Sequence, residues 1–235
     1  MKKTIIASIL IFLFISLLGQ SNEKSEVRKL KPFDKIIISK GINVTLQEGE
    51  EPEAEIVILN AKLSEVIIEQ KGKEVTIRMK SKSNKNVAVS VYLTFQNLTE
   101  ISAKTGGKID SEDVIETNQL KIDAALGAEI ELEVEVNKLI VLATTSSVRI
   151  SGTAETIDIN TTSGGKYLGF ELECKEANVR ATTSSIAQIF VTEKLEAFSS
   201  SGATVEYIGE PLHVHTNILL GGKVIEITDD EDDDE

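Results

Sequence analysis

The chain has one cysteine, Cys174, which excludes an internal disulfide framework and any zinc or iron–sulfur site built from several thiolates. It has no tryptophan and only three tyrosines, so an aromatic groove that stacks sugar rings lacks its material. Basic residues are few: 25 Lys and Arg stand against 38 Asp and Glu over 235 residues, a net charge of −13, and they form no cluster. Nucleic-acid contact needs clustered cations to neutralise phosphates, so that partner class is excluded. Helical periodicity is missing too. Past residue 19, no window of 12 or more residues repeats its apolar positions every 3.6 residues. What abounds is β-forming: 29 Ile, 18 Val and 19 Thr make up about 28% of the chain. The length suffices for one large domain with a real core.

Lys2 and Lys3 precede an uncharged, mostly aliphatic run over residues 4–18. A positive start followed by 15 such residues is the pattern of a secretory signal, and it falls short of the roughly 18–20 residues of a membrane span. Gly19 offers a cleavage point, and no cysteine follows to take a lipid anchor. The expectation is a signal peptide at 1–19 and an exported chain (periplasmic, outer-surface or secreted) with no transmembrane span once mature. Residues 20–31 read as a polar linker, 32–227 as one domain, and 228–235 as an acidic disordered tail. That tail holds seven carboxylates at 229–235. Like charges in a block repel one another and stay solvated.

After the linker come short β runs, including a hairpin around Gly72 and the strict alternation Val87, Val89, Val91, Leu93, Phe95. Residues 60–65 allow one helical turn. From residue 98 the chain repeats. A Gly or Ser stands at 106, 127, 146, 164, 184, 202 and 221, at spacings averaging about 19 residues, within the range of solenoid repeats. Seven positions earlier stand Thr99, Leu120, Leu139, Ile157, Ala177, Leu195 and Val214; five earlier, Ile101, Ile122, Val141, Ile159, Val179, Ala197 and Thr216. Three earlier is a small column: Ala103, Ala124, Ala143, Thr161, Ala181, Ser199 and Ile218. The residue after each anchor is also small, which fits a tight corner with positive φ. No single coil can bury its own inward face. Stacking at about 4.8 Å lets each strand hydrogen-bond its copies and turns these columns into ladders. The fold expected is all-β: a parallel solenoid of about seven coils behind an irregular β N-terminal part. Residues 33–95, atypical and hairpin-bearing, are expected to cap the first coil.

Phe33-Asp34-Lys35-Ile36, then Lys40-Gly41-Ile42-Asn43-Val44-Thr45-Leu46, then Gly72-Lys73-Glu74-Val75-Thr76-Ile77 and the Gly/Ser-anchored coils resemble the putative auto-transporter adhesin head family, named for its Gly-Ile-Asn motif. The resemblance spans residues 32–227. It implies a right-handed parallel β-helix-like domain exported from the cytoplasm, and it brings no functional residues with it.

Candidate chemistry is sparse. His213 and His215, two residues apart on one strand face, are the weak candidate pair for a shared metal, with no third ligand apparent. The tail at 229–235 offers carboxylate oxygens to Ca²⁺ but lacks the glycine and spacing of a calcium loop. Thr144, Thr162, Thr182 and Ser200 form an outward hydroxyl ladder, either a surface for ice or glycan or a cross-strand brace of the wall. Asp123 and Asp158 fall in different outward columns, Arg149 and Arg180 stand alone, and Cys174 reads as a small residue at a coil junction. No nucleophile–base constellation and no phosphate loop appears. The expectation is therefore a non-catalytic envelope protein with no cofactor, acting by surface contact in adhesion or scaffolding. Its partner would be a glycan or protein outside the cell. A polysaccharide-acting β-helix enzyme and a self-assembling structural protein are the competing readings.

Overall fold

A computed structural model of the chain describes residues 23–80 and 87–228; the expected signal peptide and the seven-carboxylate tail lie outside the described residues. The described strands are β1 (Glu23–Lys29), β2 (Lys35–Ser39), β3 (Asn43–Glu48), β4 (Glu53–Leu59), β5 (Val66–Lys71), β6 (Glu74–Met79), β7 (Ala88–Phe95), β8 (Glu100–Lys104) and β9 (Lys108–Ser111). They continue as β10 (Ile115–Ala125), β11 (Glu129–Thr144), β12 (Ser147–Thr162), β13 (Lys166–Thr182), β14 (Ile186–Ser200), β15 (Thr204–Ile208), β16 (His213–Leu219) and β17 (Lys223–Glu226). One 3₁₀ turn, Leu63–Glu65, lies where a single helical turn was expected. The result is a β-solenoid of about seven turns.

The inward columns stack as the repeat requires. Across parallel β10, β11, β12, β13, β14 and β16, Leu120 faces Leu139, Ile157, Ala177, Leu195 and Val214 in turn. Ile122, Val141, Ile159, Val179, Ala197 and Thr216 follow two residues on. These strands form the first face of each turn. A second face follows the corner, with Ile109, Ile130, Val148, Tyr167, Ala187 and Val205 as its inward column. A third runs through Thr117, Val136, Ala154, Cys174 and Val191. The long strands β11 to β14 bend around these faces, so one strand serves two or three sides.

First and second faces meet at a left-handed corner; except at Ser146, where Thr145 alone has positive φ, its two positive-φ residues are the anchor and the residue before it, not the anchor and the residue after. Thr105 and Gly106 have φ of 53° and 70°, and Thr183 and Ser184 have 55° and 56°. A β-branched residue rarely adopts this conformation. Here axial hydrogen bonds hold it: Gly127 N donates to Thr145 O at 2.7 Å, Gly164 N to Thr183 O at 3.0 Å, and Ser184 N to Ser201 O at 3.0 Å. The residue after the anchor is small because the turns crowd there. A Cβ on Gly165 would lie 2.1 Å from Ala143 O. One corner is a residue shorter than the rest: Glu129 pairs with Ser147, so Ser146, not Ser147, takes the crowded position, and its hydroxyl donates to Ala124 O. The small column carries buried hydroxyls whose bonds stay internal: Thr161 Oγ1 with Ser185 Oγ at 2.9 Å, and Ser199 Oγ to Ala203 O at 2.8 Å.

The Gly-Ile-Asn segment is one of these corners. Lys40 and Gly41 have φ of 65° and 69°, Gly41 N donates to Thr105 O at 3.2 Å, and Ile42 is fully buried. Strands β2 and β3 on either side pair in parallel with β8 and β9. Beyond them β6 and β7 form a further parallel layer. There the direction reverses: β5 is antiparallel to β6, β4 to β7, and β1 to β4. Residues 23–29, read from sequence as part of a polar linker, are thus the outermost strand. The side chains of residues 24–29 are mostly exposed, so a charged, non-alternating stretch suffices for an edge. The Arg28 guanidinium ties it down by donating to Val66 O and Leu63 O at 3.0 and 3.3 Å.

Candidate functional site

A groove of about 710 Å³ lies on the third face and crosses four successive turns. Its floor is the inward edge of that face: Val136, Ala154 and Cys174 are buried. Its rims come from the outward positions on either side, so residues roughly 18–20 apart in sequence become neighbours. One rim stacks Glu116, Glu135, Thr153 and Glu173; the other stacks Asn118, Asn137, Glu155 and Lys175. Asn137 Nδ2 donates to Asn118 Oδ1 at 2.7 Å, and Lys175 Nζ to the two Glu155 carboxylate oxygens at 2.9 and 2.8 Å. That hydrogen bond and the charge beside it raise the Lys175 pKa. Four carboxylates against one lysine leave the groove negative, with acceptors on one side and mixed donors and acceptors on the other.

Cys174 lies within β13, stacked between Ala154 and Val191. It is 1% exposed, and its Sγ donates to Phe190 O at 3.2 Å. Burial first, and the neighbouring Glu173 second, push its thiol up to about 12, so it remains a protonated core residue. Tyr167 is fully buried in the second-face column, and burial raises its phenol as well; its hydroxyl has no partner among the described residues.

The residues singled out from sequence do not converge. His213 and His215 lie exposed on β16, opposite Lys194 and Glu196 of β14. Among the described residues, no three His, Cys, Asp or Glu side chains gather as a metal site. Thr144 stands opposite Thr162, and Thr182 opposite Ser200, with Thr182 Oγ1 donating to Thr162 Oγ1 at 3.0 Å. The threonines are half-buried and Ser200 is buried, so much of this hydroxyl ladder bonds within the wall. Asp123 pairs with Lys104 at 3.5 Å and Asp158 with Lys138 at 2.8 Å, while the Arg180 guanidinium lies 4.1 Å from the centre of the Phe198 ring. The groove was not foreseen. Its only sequence signal is the outward run Glu129, Glu131, Glu133, Glu135, which reads equally well as a solvated strand face. Among the described residues no helix is long and apolar enough to cross a membrane.

Residues 32–211 match the family described as "Putative auto-transporter adhesin, head GIN domain". No curated protein matches the chain. Among solved structures, a putative adhesin from Bacteroides fragilis aligns over 87% of this chain and 97% of its own, at 16% identity and a TM-score of 0.77. A putative lipid-binding protein from Parabacteroides distasonis aligns over 89% and 98%, at 17% identity and a TM-score of 0.71. A putative adhesin from Parabacteroides merdae aligns over 89% and 98%, at 20% identity and a TM-score of 0.67. At these identities the likeness is one of fold.

Proposed function

The chain belongs to the head GIN domain family of putative auto-transporter adhesins, and from that premise we propose that it is an exported, non-catalytic envelope module that holds its ligand in the third-face groove. The observation that carries this reading is the stacking of polar side chains in register across four rigid turns, over a narrow apolar floor. A ligand lying along the axis meets a polar side chain on each rim at intervals of about 4.8 Å, a spacing the backbone ladder fixes in advance. Carboxylates that accept, amides that do both and one ammonium suit hydroxyl-rich or cationic ligands. They disfavour polyanions. A structural relative is described as lipid binding; in this chain the rims carry four carboxylates, which favours a polar ligand over an acyl chain. Neutral or amino-sugar glycans and basic peptide segments are the classes that fit.

The test is a glycan array probed with the exported chain, followed by incubation of each bound glycan and reducing-end analysis. Binding of neutral or amino-sugar glycans without product supports the reading. Turnover of a polysaccharide would establish the competing enzymatic one.

A further inference from the structure

We infer that the C-terminal end of the solenoid is a homotypic interface through which two copies join end to end in a closed, two-fold dimer. Within the run of coils each strand has a neighbour above and below, but among the described residues β16 pairs only with β14 and β17 only with β15. Their outer edges carry backbone N–H and C=O groups with no strand to meet them. The core is also open here. Val214 and Ile218 continue the inward columns of Leu195 and Ser199, which are fully buried one turn earlier, yet they are 44% and 47% exposed. Of the ten large apolar side chains exposed among the described residues, seven lie between Leu212 and Ile227.

The opposite end offers no matching surface. Antiparallel β1, β4 and β5 lie there as charged outer strands, and among the described residues Val27 is its one large exposed apolar residue other than Tyr92 of β7. The seven residues from 229 to 235 are all carboxylates and cannot cover apolar surface. Among the described residues, the surface that complements the open end is the same end of a second copy. A two-fold axis through the Leu220-Gly221 corner lays β16 antiparallel to the partner's β17, and β17 antiparallel to the partner's β16. It brings the inward Ile218 and Val224 of each copy towards those of the other, as an isologous contact requires. Pairing consumes both open edges, so assembly stops at two.

The acidic tail opposes this contact. It follows Thr228 at the seam, so the dimer brings fourteen carboxylates together, seven from each copy. Their repulsion reaches about 10 Å at 0.1 M salt and shortens as salt rises. Dimerisation therefore strengthens with salt. A charge-driven head-to-tail contact would behave oppositely: residues 23–95 carry 13 Lys and Arg against 11 Asp and Glu, while residues 96–228 carry 10 against 20. That pairing would weaken with salt and would grow without limit.

Analytical ultracentrifugation of the exported chain, residues 20–235, over a range of concentration and salt reads both properties. The expected result is a mass that doubles and then stops, with the dimer fraction rising with salt. Removing residues 229–235 should give the same dimer at low salt and abolish the salt dependence. Ile218→Lys should stay monomeric, with circular dichroism establishing that it is folded. Leu220→Cys, exposed at 81% and placed at the axis, should cross-link to a dimer on mild oxidation whether or not Ile218→Lys folds. A monomer at every salt and concentration, growth beyond two copies that salt weakens, or failure of Leu220→Cys to cross-link would overturn the inference.

Discussion

Val141 is fully buried and stacks between Ile122 and Ile159 in the β-branched column of the first face. Replacing it by Ala removes two methyl groups, about 1.6 kcal/mol at about 0.8 per buried carbon. The space left between rigid turns brings the cost to about 2–3 kcal/mol. Val141→Asp loses the same packing and adds a carboxylate in a dry stack of aliphatic side chains, worth several kcal/mol more. That sum approaches the entire stability of a typical domain, about 5–15 kcal/mol, so the Asp variant should not fold. The control is the outward neighbour column: Asp123→Asn gives up one partly exposed pair with Lys104 and should change stability by less than about 0.5 kcal/mol. With no tryptophan in the chain, urea unfolding is followed by far-UV circular dichroism. If the Val141 and Asp123 variants unfold at the same urea concentration, Val141 does not face inward and the ladder argument fails.

Gly165→Ala should lower the melting temperature by the equivalent of about 1–3 kcal/mol, because its Cβ would collide with Ala143 O at a crowded corner; an unchanged melt would mean that the turns do not approach so closely. A chain beginning at Leu98 loses β1 to β7 and bares the upper edges of β8 and β9, so light scattering should detect larger species than the full chain forms. A truncated chain no larger in assembly than the full one would refute the capping role of the N-terminal strands. Cys174 should resist alkylation in the native protein and react promptly in urea. Because burial raises its folded pKa above the unfolded value, its contribution to stability is complete below the ordinary thiol range and is lost as pH rises towards about 12. Native-state alkylation at the unfolded rate would show that the third-face floor is open.

The first face was legible because its signal is redundant. Six stacked strands carry an aliphatic residue, then a β-branched or small one, then a residue that is small in all but the last (Ile218), at the same offsets from a Gly or Ser, and the stacking places every one of them in register. The hairpin of β5 and β6 was legible from its turn. Strand β1 was not, since an edge strand needs no apolar alternation and Glu-Lys-Ser-Glu-Val-Arg-Lys has none. The short corner at Thr145 and Ser146 hid within the normal scatter of repeat lengths: the loss of one residue there leaves the preceding columns aligned and displaces only the crowded position. The groove was invisible for a different reason. Only stacking brings Glu116, Glu135 and Glu173 to one rim.

Surface plasmon resonance of the strongest array-bound glycan on the wild-type chain and on Glu116→Lys and Glu135→Lys tests the central claim most directly. Both residues are exposed on one rim, so the variants should fold and melt as the wild type does. The account predicts that reversing these charges abolishes or weakens binding of a neutral or cationic glycan at least tenfold, a change of about 1.4 kcal/mol. Equal affinity in all three proteins would place the ligand elsewhere on the solenoid and contradict it.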